Sequence, residues 1–438
     1  MDLQIPINVH KIIDVLNAAG FEGYAVGGCV RDSLLGRTPD DWDITTSASP
    51  GQVKSLFRRT VDTGLAHGTV TVLMGGEGFE VTTYRIDGEY EDGRHPKEVT
   101  FTTNLKEDLK RRDFTINAMA YHPETGIVDY FHGDEDLKNR IIRCVGDPME
   151  RFSEDALRIL RAVRFSAQLG FSIEEETKKA LGVIAPNLKR VSAERIQTEL
   201  IKLLVSPHPD YLRIAYETGI TKVFLQEFDA CMETPQNTPH HFCSVGEHTL
   251  CSMKKVRPDK VLRLTMLLHD IGKPVVRRTD ETGRDHFKQH GPQGEKLARE
   301  ILRRLKFDND TIKKVVTLIK WHDFRPLPSM VQVRKAVNQI GEELFPLYLE
   351  VQRADLLSQS EYKREQKLER LNGVEQCYRE IQEKEQCVSL KTLAVTGRDL
   401  MEAGMAPGKE LGETLNRLLE AVLEHPEWNK KEILLNKI

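Results

Sequence analysis

Apolar and polar positions follow two different rhythms along the chain. Up to about residue 145 the apolar residues come in short runs bounded by glycine-rich turns: GYAVGG (23–28), GTVTVLM (68–74) and GFEVTTYR (78–85). Short β-rich runs with such punctuation predict strands, with helices between them. From about residue 146 the apolar positions recur at spacings of three and four, as in RFSEDALRILRAVRFSAQLGF (151–171), SAERIQTELIKLLV (192–205) and KLAREILRRLKF (296–307). That period predicts helices with one buried face. METPQNTPHH (232–241), rich in Pro, Thr and Asn, reads as a linker or exposed loop. The charged stretch EYKREQKLERL (361–371) opens another helical part, and GMAPGKELGETL (404–415) reads as a Gly/Pro turn into a helix. The expected class is α+β: a mixed α/β head with a small sheet, then an elongated all-helical remainder. The expected divisions are a head (1–145), a neck (146–225), a body (226–360) and a tail (361–438).

The chain has 438 residues, enough for two to four domains at roughly 100–200 residues each. A hydrophobic content of 39% supports ordinary cores, and no apolar run approaches the ~20 residues of a membrane span. The first residues, MDLQIPINVHKIIDVL, lack the basic, apolar and small-residue segments of a signal peptide. Seven cysteines with no C-x-x-C pair argue against disulfides and a thiolate zinc site. These features predict a soluble, cytoplasmic protein without a membrane or an obligate protein partner. A net charge of −4 excludes a surface that grips nucleic acid with positive charge all over, though not one basic face.

The richest stretch chemically is YAVGGCVRDSLLGRTPDDWDI (24–44). Gly27 and Gly28 sit between an apolar strand and a predicted helix. Glycines there let backbone N–H groups approach phosphate oxygens, and Arg31 adds a cation one turn in. Asp41 and Asp43 are two apart, so in a strand they point to the same side. Paired carboxylates repel and need compensation. Two Mg²⁺ ions about 3.5–4 Å apart supply it while clamping a triphosphate and an attacking hydroxyl. Glu80, on a neighbouring predicted strand, is the candidate third carboxylate. An isolated DxD in a solvated turn is the commoner reading; the GG-x-V-R-D stretch ahead of it argues otherwise.

This arrangement, followed by RRDFTINAMAY (111–121), DYFHGDEDL (129–137), EDALRILRAVRF (154–165) and SAERIQTEL (192–200), resembles the class II tRNA nucleotidyltransferases. That family comprises the CCA-adding enzymes and bacterial poly(A) polymerases. The resemblance implies that Asp41 and Asp43 hold catalytic Mg²⁺, that Gly28, Arg31 and Arg112 contact the nucleotide, and that Asp113 or Asn117 bonds the ribose hydroxyls. It also implies that Asp155 and Arg158 select the base, with Arg161 and Arg164 nearby. Read as i and i+3 on one helix, Asp155 and Arg158 share a face, where an ordinary ion pair is the plain alternative. An ionised Asp accepts and an Arg donates. Cytosine and adenine each present an amino donor beside a ring acceptor, which this pair matches; uracil and guanine present the reverse. DGEYEDGRHP (87–96) resembles the loop that accompanies terminal A addition. The implied partners are tRNA, CTP and ATP, and the implied reaction is untemplated CCA addition. A-adding enzymes and poly(A) polymerases are the alternatives within the class.

A second chemistry begins at HDIG (269–272). His248, His269, Asp270, His290, His322 and Asp355 follow in the order H…HD…H…H…D, which resembles the HD phosphohydrolase superfamily. Imidazoles and carboxylates suit a second, borderline divalent metal that lowers the pKa of bound water. The resemblance implies phosphodiesterase or phosphatase action on 2′,3′-cyclic or terminal phosphates, and a metal-dependent phosphohydrolase with an RNA-binding head is the reading from another class. Residues 393–428 resemble the tail of Gram-positive-type CCA enzymes, implying contact with the tRNA elbow; a structural helical bundle is the other reading.

Overall fold

The computed structural model describes residues 3–88 and 99–438. The chain divides into two compact units, Met1–Phe224 and Leu225–Ile438. Among the described residues no helix is long and apolar enough to cross a membrane, and all seven cysteines are free.

The first unit opens with helix α1 (Ile7–Ala18), whose Val9, Ile12, Ile13 and Leu16 are buried at helical spacing. The strands are β1 (Gly23–Val26), β2 (Asp43–Thr46), β3 (Thr60–Gly64), β4 (Thr69–Met74), β5 (Glu77–Thr83), β6 (Arg85–Asp87), β7 (Val99–Phe101), β8 (Met119–His122) and β9 (Gly126–Asp129), with a two-residue parallel pair, Ile141–Ile142 and Ser172–Ile173, whose second strand interrupts the neck expected to be all helical. Seven of them form one mixed sheet in the order β3-β4-β5-β2-β1-β8-β9, and β6 pairs with β7. The β2–β5 pair is parallel, while β1–β2 and β4–β5 are antiparallel. Helix α2 (Gly28–Leu34) leaves the end of β1, and α3 (Pro50–Leu56) follows β2, opened by a Ser49–Gln52 capping box. Helix α4 (Leu105–Lys110) buries Leu105 and Leu109 in a cluster with Val26, Tyr84, Ala118 and Ala120. The helices α5 (Gly133–Asn139), α6 (Pro148–Glu154), α7 (Leu157–Leu169), α8 (Glu175–Ile184) and α9 (Ala193–Leu204) complete the part used below.

The structure corrects the expected helix through 154–165. Helix α6 ends at Glu154 and α7 begins at Leu157; between them Asp155 is extended (φ −139°, ψ 101°). Its side chain accepts the Leu157 N–H at 3.0 Å and its carbonyl accepts the Arg158 N–H at 3.0 Å. Asp competes for backbone donors in this way, which favours it where helices begin rather than inside them.

The second unit is helical, with one two-stranded ribbon (Arg278–Thr279 and Asp285–His286). One core gathers Phe345, Tyr348, Leu371, Val374 and Tyr378; another gathers Leu400, Leu418, Leu419 and Val422. METPQNTPHH lies within this unit. Thr234 and Gln236 are buried, and the Asn237 N–H donates to Asp285 at 2.9 Å. The stretch ends a helix (Gln226–Glu233) and continues as a loop anchored at Thr234 and Gln236, with Pro235 and Pro239 exposed.

Candidate functional site

Asp43 is the first residue of β2 and pairs in register with Glu80 of β5. Asp41 lies two residues ahead in the approach to the strand. All three line a cavity of about 700 Å³ with Thr38, Asp40 and Trp42. Burial pushes the Asp43 carboxyl up to about 6; Asp41 and Glu80 add to the rise and Arg112 opposes it. Among the described residues, no side-chain hydrogen bond or salt bridge joins Asp41, Asp43 or Glu80 to another residue. An all-oxygen carboxylate set that is partly buried and short of countercharge fits a hard divalent cation.

The turn ahead of α2 requires its glycine. Gly27 has φ 83°, and a Cβ there would come 2.9 Å from Nη1 of Arg112. The bare backbone lets Arg112 lie against the turn. Asp108, fully buried, stands 3.7 Å from Nη2 of Arg112 and also accepts from Thr45 of β2 (3.1 Å) and from Arg111 (2.9 Å). Burial lowers the Arg112 pKa, while Asp108 and Asp43 raise it.

From Arg31 a chain of polar contacts links the motifs. Arg31 donates to Asn117 Oδ1 at 2.6 Å, Asn117 donates to Asp113 Oδ1 at 3.1 Å, and Arg161 donates to Asp113 Oδ2 at 2.7 Å. Beyond lies Glu199 of α9, which accepts from Arg164 at 2.8 Å and stands 3.9 Å from Arg161. Burial would raise the Asp113 carboxyl, but Arg161 and Asn117 hold it down at about 2. Asp113, Asn117 and Glu199 are all buried.

The candidate base-reading residues do not pair with each other. Asp155 is held by Arg195 at 2.6 Å, and Arg158 by Glu154 at 2.6 Å and the Arg151 carbonyl at 3.0 Å. Because Asp155 stands outside the helix, the i, i+3 relation expected from spacing does not hold. Arg161 and Arg164 are directed at Asp113 and Glu199. Glu154, Arg195, Asp108 and Glu199 were not singled out in the sequence. The Glu154–Arg158 spacing of four was a legible signal, and Arg195 and Glu199 lie in the motif SAERIQTEL, though nothing in it shows what they pair with; Asp108 carried no signal. Residues 89–96 of the loop expected to accompany A addition lie outside the described residues.

Residues 23–143 match the family described as Poly A polymerase head domain. Residues 170–232 match the probable RNA- and SrmB-binding site of polymerase A, and residues 291–438 match the putative tRNA nucleotidyltransferase domain 2. The chain is 39% identical over 419 residues to the CCA-adding enzyme of Lactobacillus helveticus, covering 95% of this chain and 92% of that one. The chain belongs to the CCA-adding enzyme family of class II tRNA nucleotidyltransferases. Its likeness to the family member of Levilactobacillus brevis is 38% over 428 residues, covering 97% and 96% of the two chains. The solved structure of the Bacillus stearothermophilus CCA-adding enzyme in complex with CTP superposes with a TM-score of 0.73 at 30% identity, covering 98% of this chain and 96% of that one.

His248, His269, Asp270 and His290 fall between the last two matched segments. In space they form one buried cluster with His322 and Asp355. Each Nδ1 faces a backbone carbonyl: Met266 for His269 (2.8 Å), Phe287 for His290 (2.8 Å), Ile319 for His322 (2.6 Å) and Ser358 for His248 (3.3 Å). These contacts assign the proton to Nδ1 and turn the Nε2 lone pairs inward. The Nε2 atoms meet in two pairs, His248–His269 at 3.3 Å and His290–His322 at 3.0 Å. Asp270 lies between the pairs. Its Oδ2 is 3.2 Å from His269 Nε2, and its Oδ1 is 3.6 Å from His290 Nε2 and 3.5 Å from His322 Nε2. Asp355 Oδ1 is 3.0 Å from His248 Nε2. Facing lone pairs repel unless a proton or cation lies between them, and this mixed nitrogen–oxygen set suits a borderline divalent metal. Lys273 Nζ, 2.7 Å from Asp270 Oδ2, supplies one positive charge at the edge. Burial, then the neighbouring His322, lowers the His290 pKa to about 4.

Proposed function

We infer that the protein is a CCA-adding tRNA nucleotidyltransferase, joining C, C and A to the 3′ end of tRNA from CTP and ATP without a nucleic-acid template. The observation that carries this reading is the in-register Asp43–Glu80 pair, which lines one cavity together with Asp41. Mg²⁺ is the proposed cofactor, held by Asp41 and Asp43 with Glu80 as a third carboxylate; it supplies charge neutralisation at the reacting phosphate. Arg112 and Arg31 meet the triphosphate, the Gly27–Gly28 turn lets it approach, and Asn117 and Asp113 meet the ribose. The terminal tRNA hydroxyl attacks the α-phosphorus. An oxygen–phosphorus bond forms there, the bond to the pyrophosphate oxygen breaks, and pyrophosphate leaves as the hydroxyl proton is lost to solvent.

Asp155 and Arg158 are the proposed base readers. Their present partners, Arg195 and Glu154, keep both charges satisfied while no base is bound. A cytosine or adenine edge exchanges for these ion pairs, whereas uracil or guanine would leave buried groups facing like partners at about 1–3 kcal/mol each. Residues 393–428 are the proposed tRNA-elbow contact, and the tRNA substrate sets the proposed location, the cytoplasm. The test is incubation with tRNA ending in the discriminator base, C or CC, with CTP and ATP. Completion of every substrate to CCA supports the reading; extension of the CC-ended tRNA alone would make the protein an A-adding enzyme.

The inward-facing imidazole pairs favour a second activity in the same chain, a metal-dependent phosphohydrolase. His248, His269, Asp270 and Asp355 would hold one divalent ion, and Asp270, His290 and His322 another. Such ions lower the pKa of bound water for attack on phosphorus. Hydrolysis of 2′,3′-cyclic AMP that is lost on His269→Ala and on Asp270→Ala is the expected result; absence of both metal and hydrolysis would reduce the cluster to scaffold.

A further inference from the structure

The second unit has two apolar cores that share no residue. The helix Met330–Ile340 supplies Val333, Ala336, Val337 and Ile340 to the first, and the helix Lys409–Glu424 supplies Leu418, Leu419, Val422 and Leu423 to the second. Arg334 reaches from one helix to the end of the other. Its Nε donates to the Leu423 carbonyl at 2.7 Å and its Nη2 to the Glu424 carbonyl at 3.3 Å. Its Nη1 donates to Gln386 Oε1 at 2.8 Å, one residue ahead of Cys387 of the second core. Arg334 is buried, and all three of these acceptors are neutral. The last carbonyls of a helix lack intrahelical donors and carry the negative end of its dipole. They meet the charge of Arg334, and Arg334 supplies donors they lack. Lys335 also reaches Glu424, at 2.7 Å, but that pair is exposed to solvent, where ion pairs are weak.

We propose that Arg334 is a positioning residue for tRNA: it fixes the second core, and with it residues 393–428, against the first. The proposal rests on the reading of that segment as the tRNA-elbow contact and adds the residue that holds it in place. Leu423 and Glu424, whose carbonyls Arg334 binds, belong to the segment itself. Because the two cores share no residue, each keeps its own apolar packing when the guanidinium is removed, and the segment gains freedom to move without unfolding. A surface that must be ordered as it binds loses affinity, whereas one held in place beforehand does not. The residues proposed for the chemical step lie in the other unit. The effect of Arg334 is therefore confined to KM, and to substrates that carry an elbow.

The full chain is given ATP, Mg²⁺ and either a whole tRNA ending in CC or a hairpin of its acceptor stem alone with the same end. The unaltered protein is expected to show the lower KM for the tRNA. Arg334→Met, which keeps an unbranched side chain and removes its donors, is expected to raise the KM for tRNA by about fivefold or more, while kcat and the KM for the hairpin stay within about twofold. Arg334→Lys, which keeps the charge on a single donor group, falls between. A merely structural loss would lower the active fraction, and so kcat, for both substrates alike. A rise in KM shared by the hairpin, a fall in kcat in its place, or no change overturns the proposal. Should Arg334→Met fail to fold, Arg334→Lys decides by the same comparison: a rise for tRNA alone upholds the proposal, and any other result overturns it. Equal KM values for the two substrates in the unaltered protein would instead remove the elbow reading, and the proposal with it.

Discussion

At Asp43 the requirements of function and stability oppose each other. Its carboxyl is raised to about 6, chiefly by burial and then by Asp41. A raised carboxyl means that the folded state holds its proton more tightly than the unfolded state. The associated stability is present below the ordinary carboxylate pKa and is lost as pH rises through about 6. Asp43→Asn is therefore expected to abolish nucleotide addition yet to melt higher than the unaltered protein at pH 7 without divalent ions. The difference should shrink toward pH 4; thermal melts across that range check it, and a variant that melts lower at pH 7 contradicts the claim. Selectivity is the other matter decided by single residues. Asp155→Ala or Arg158→Ala is expected to raise UTP and GTP incorporation relative to CTP and ATP, more than it slows addition. Incorporation of each nucleotide measures this, and unchanged selectivity in both variants would discard these residues as readers. The residue types were legible in the sequence, and so was Glu154 four residues before Arg158; the Asp155–Arg195 pair, forty residues apart, was not. Asp155 looked like a helical position because the apolar period runs on across it, while its backbone leaves the helix to cap the next one.

Among the elements, α7 and α9 are joined through charge as well as packing. Glu199 of α9 is buried and accepts from Arg164 of α7 at 2.8 Å, with Arg161 3.9 Å away. Removing one member of a buried pair strands its partner at a cost of about 3–5 kcal/mol. Glu199→Gln is expected to destabilise the protein by an amount near the lower end of that range, because the amide still accepts one hydrogen bond. Denaturant unfolding measures it, and a loss within the few tenths of a kcal/mol usual for a surface pair would contradict the reading. Three strands of the seven-stranded sheet, β1, β4 and β5, were readable because short β-rich runs there are bounded by glycine turns; β3, β8 and β9 carry no such run. Glu80 was expected on a strand neighbouring Asp43, but the parallel direction and the register that set the two side by side were not legible, because the strands are distant in sequence. Sequence order also could not show that four histidines, each about one helix from the next, would meet as two pairs around one aspartate. The adjacent His–Asp carried the metal chemistry; the pairing needed the fold.

Taken as a whole, the molecule holds two sets of metal-suited side chains, one in each unit, with different donors. The oxygen set of the first unit suits a hard ion, and the nitrogen-rich set of the second suits a borderline one. Their responses to metal should therefore separate. Mn²⁺ or Ni²⁺ at 100 times its dissociation constant adds about 2.7 kcal/mol to the state that binds it. The resulting rise in melting temperature should survive Asp41→Ala with Asp43→Ala and vanish with His269→Ala; calorimetric scans compare them, and a rise lost only with the aspartates would refute the assignment. Both donor sets were legible in the sequence as residue types, the first from the DxD spacing and the second from the adjacent His–Asp. The central claim, that the aspartate pair beside Glu80 performs nucleotide addition, is tested most directly by extension of tRNA lacking its 3′ end with CTP, ATP and Mg²⁺. The unaltered protein is predicted to complete CCA, and the Asp41→Ala, Asp43→Ala double variant to add no nucleotide while still folded. Extension by the double variant at the unaltered rate would contradict the account.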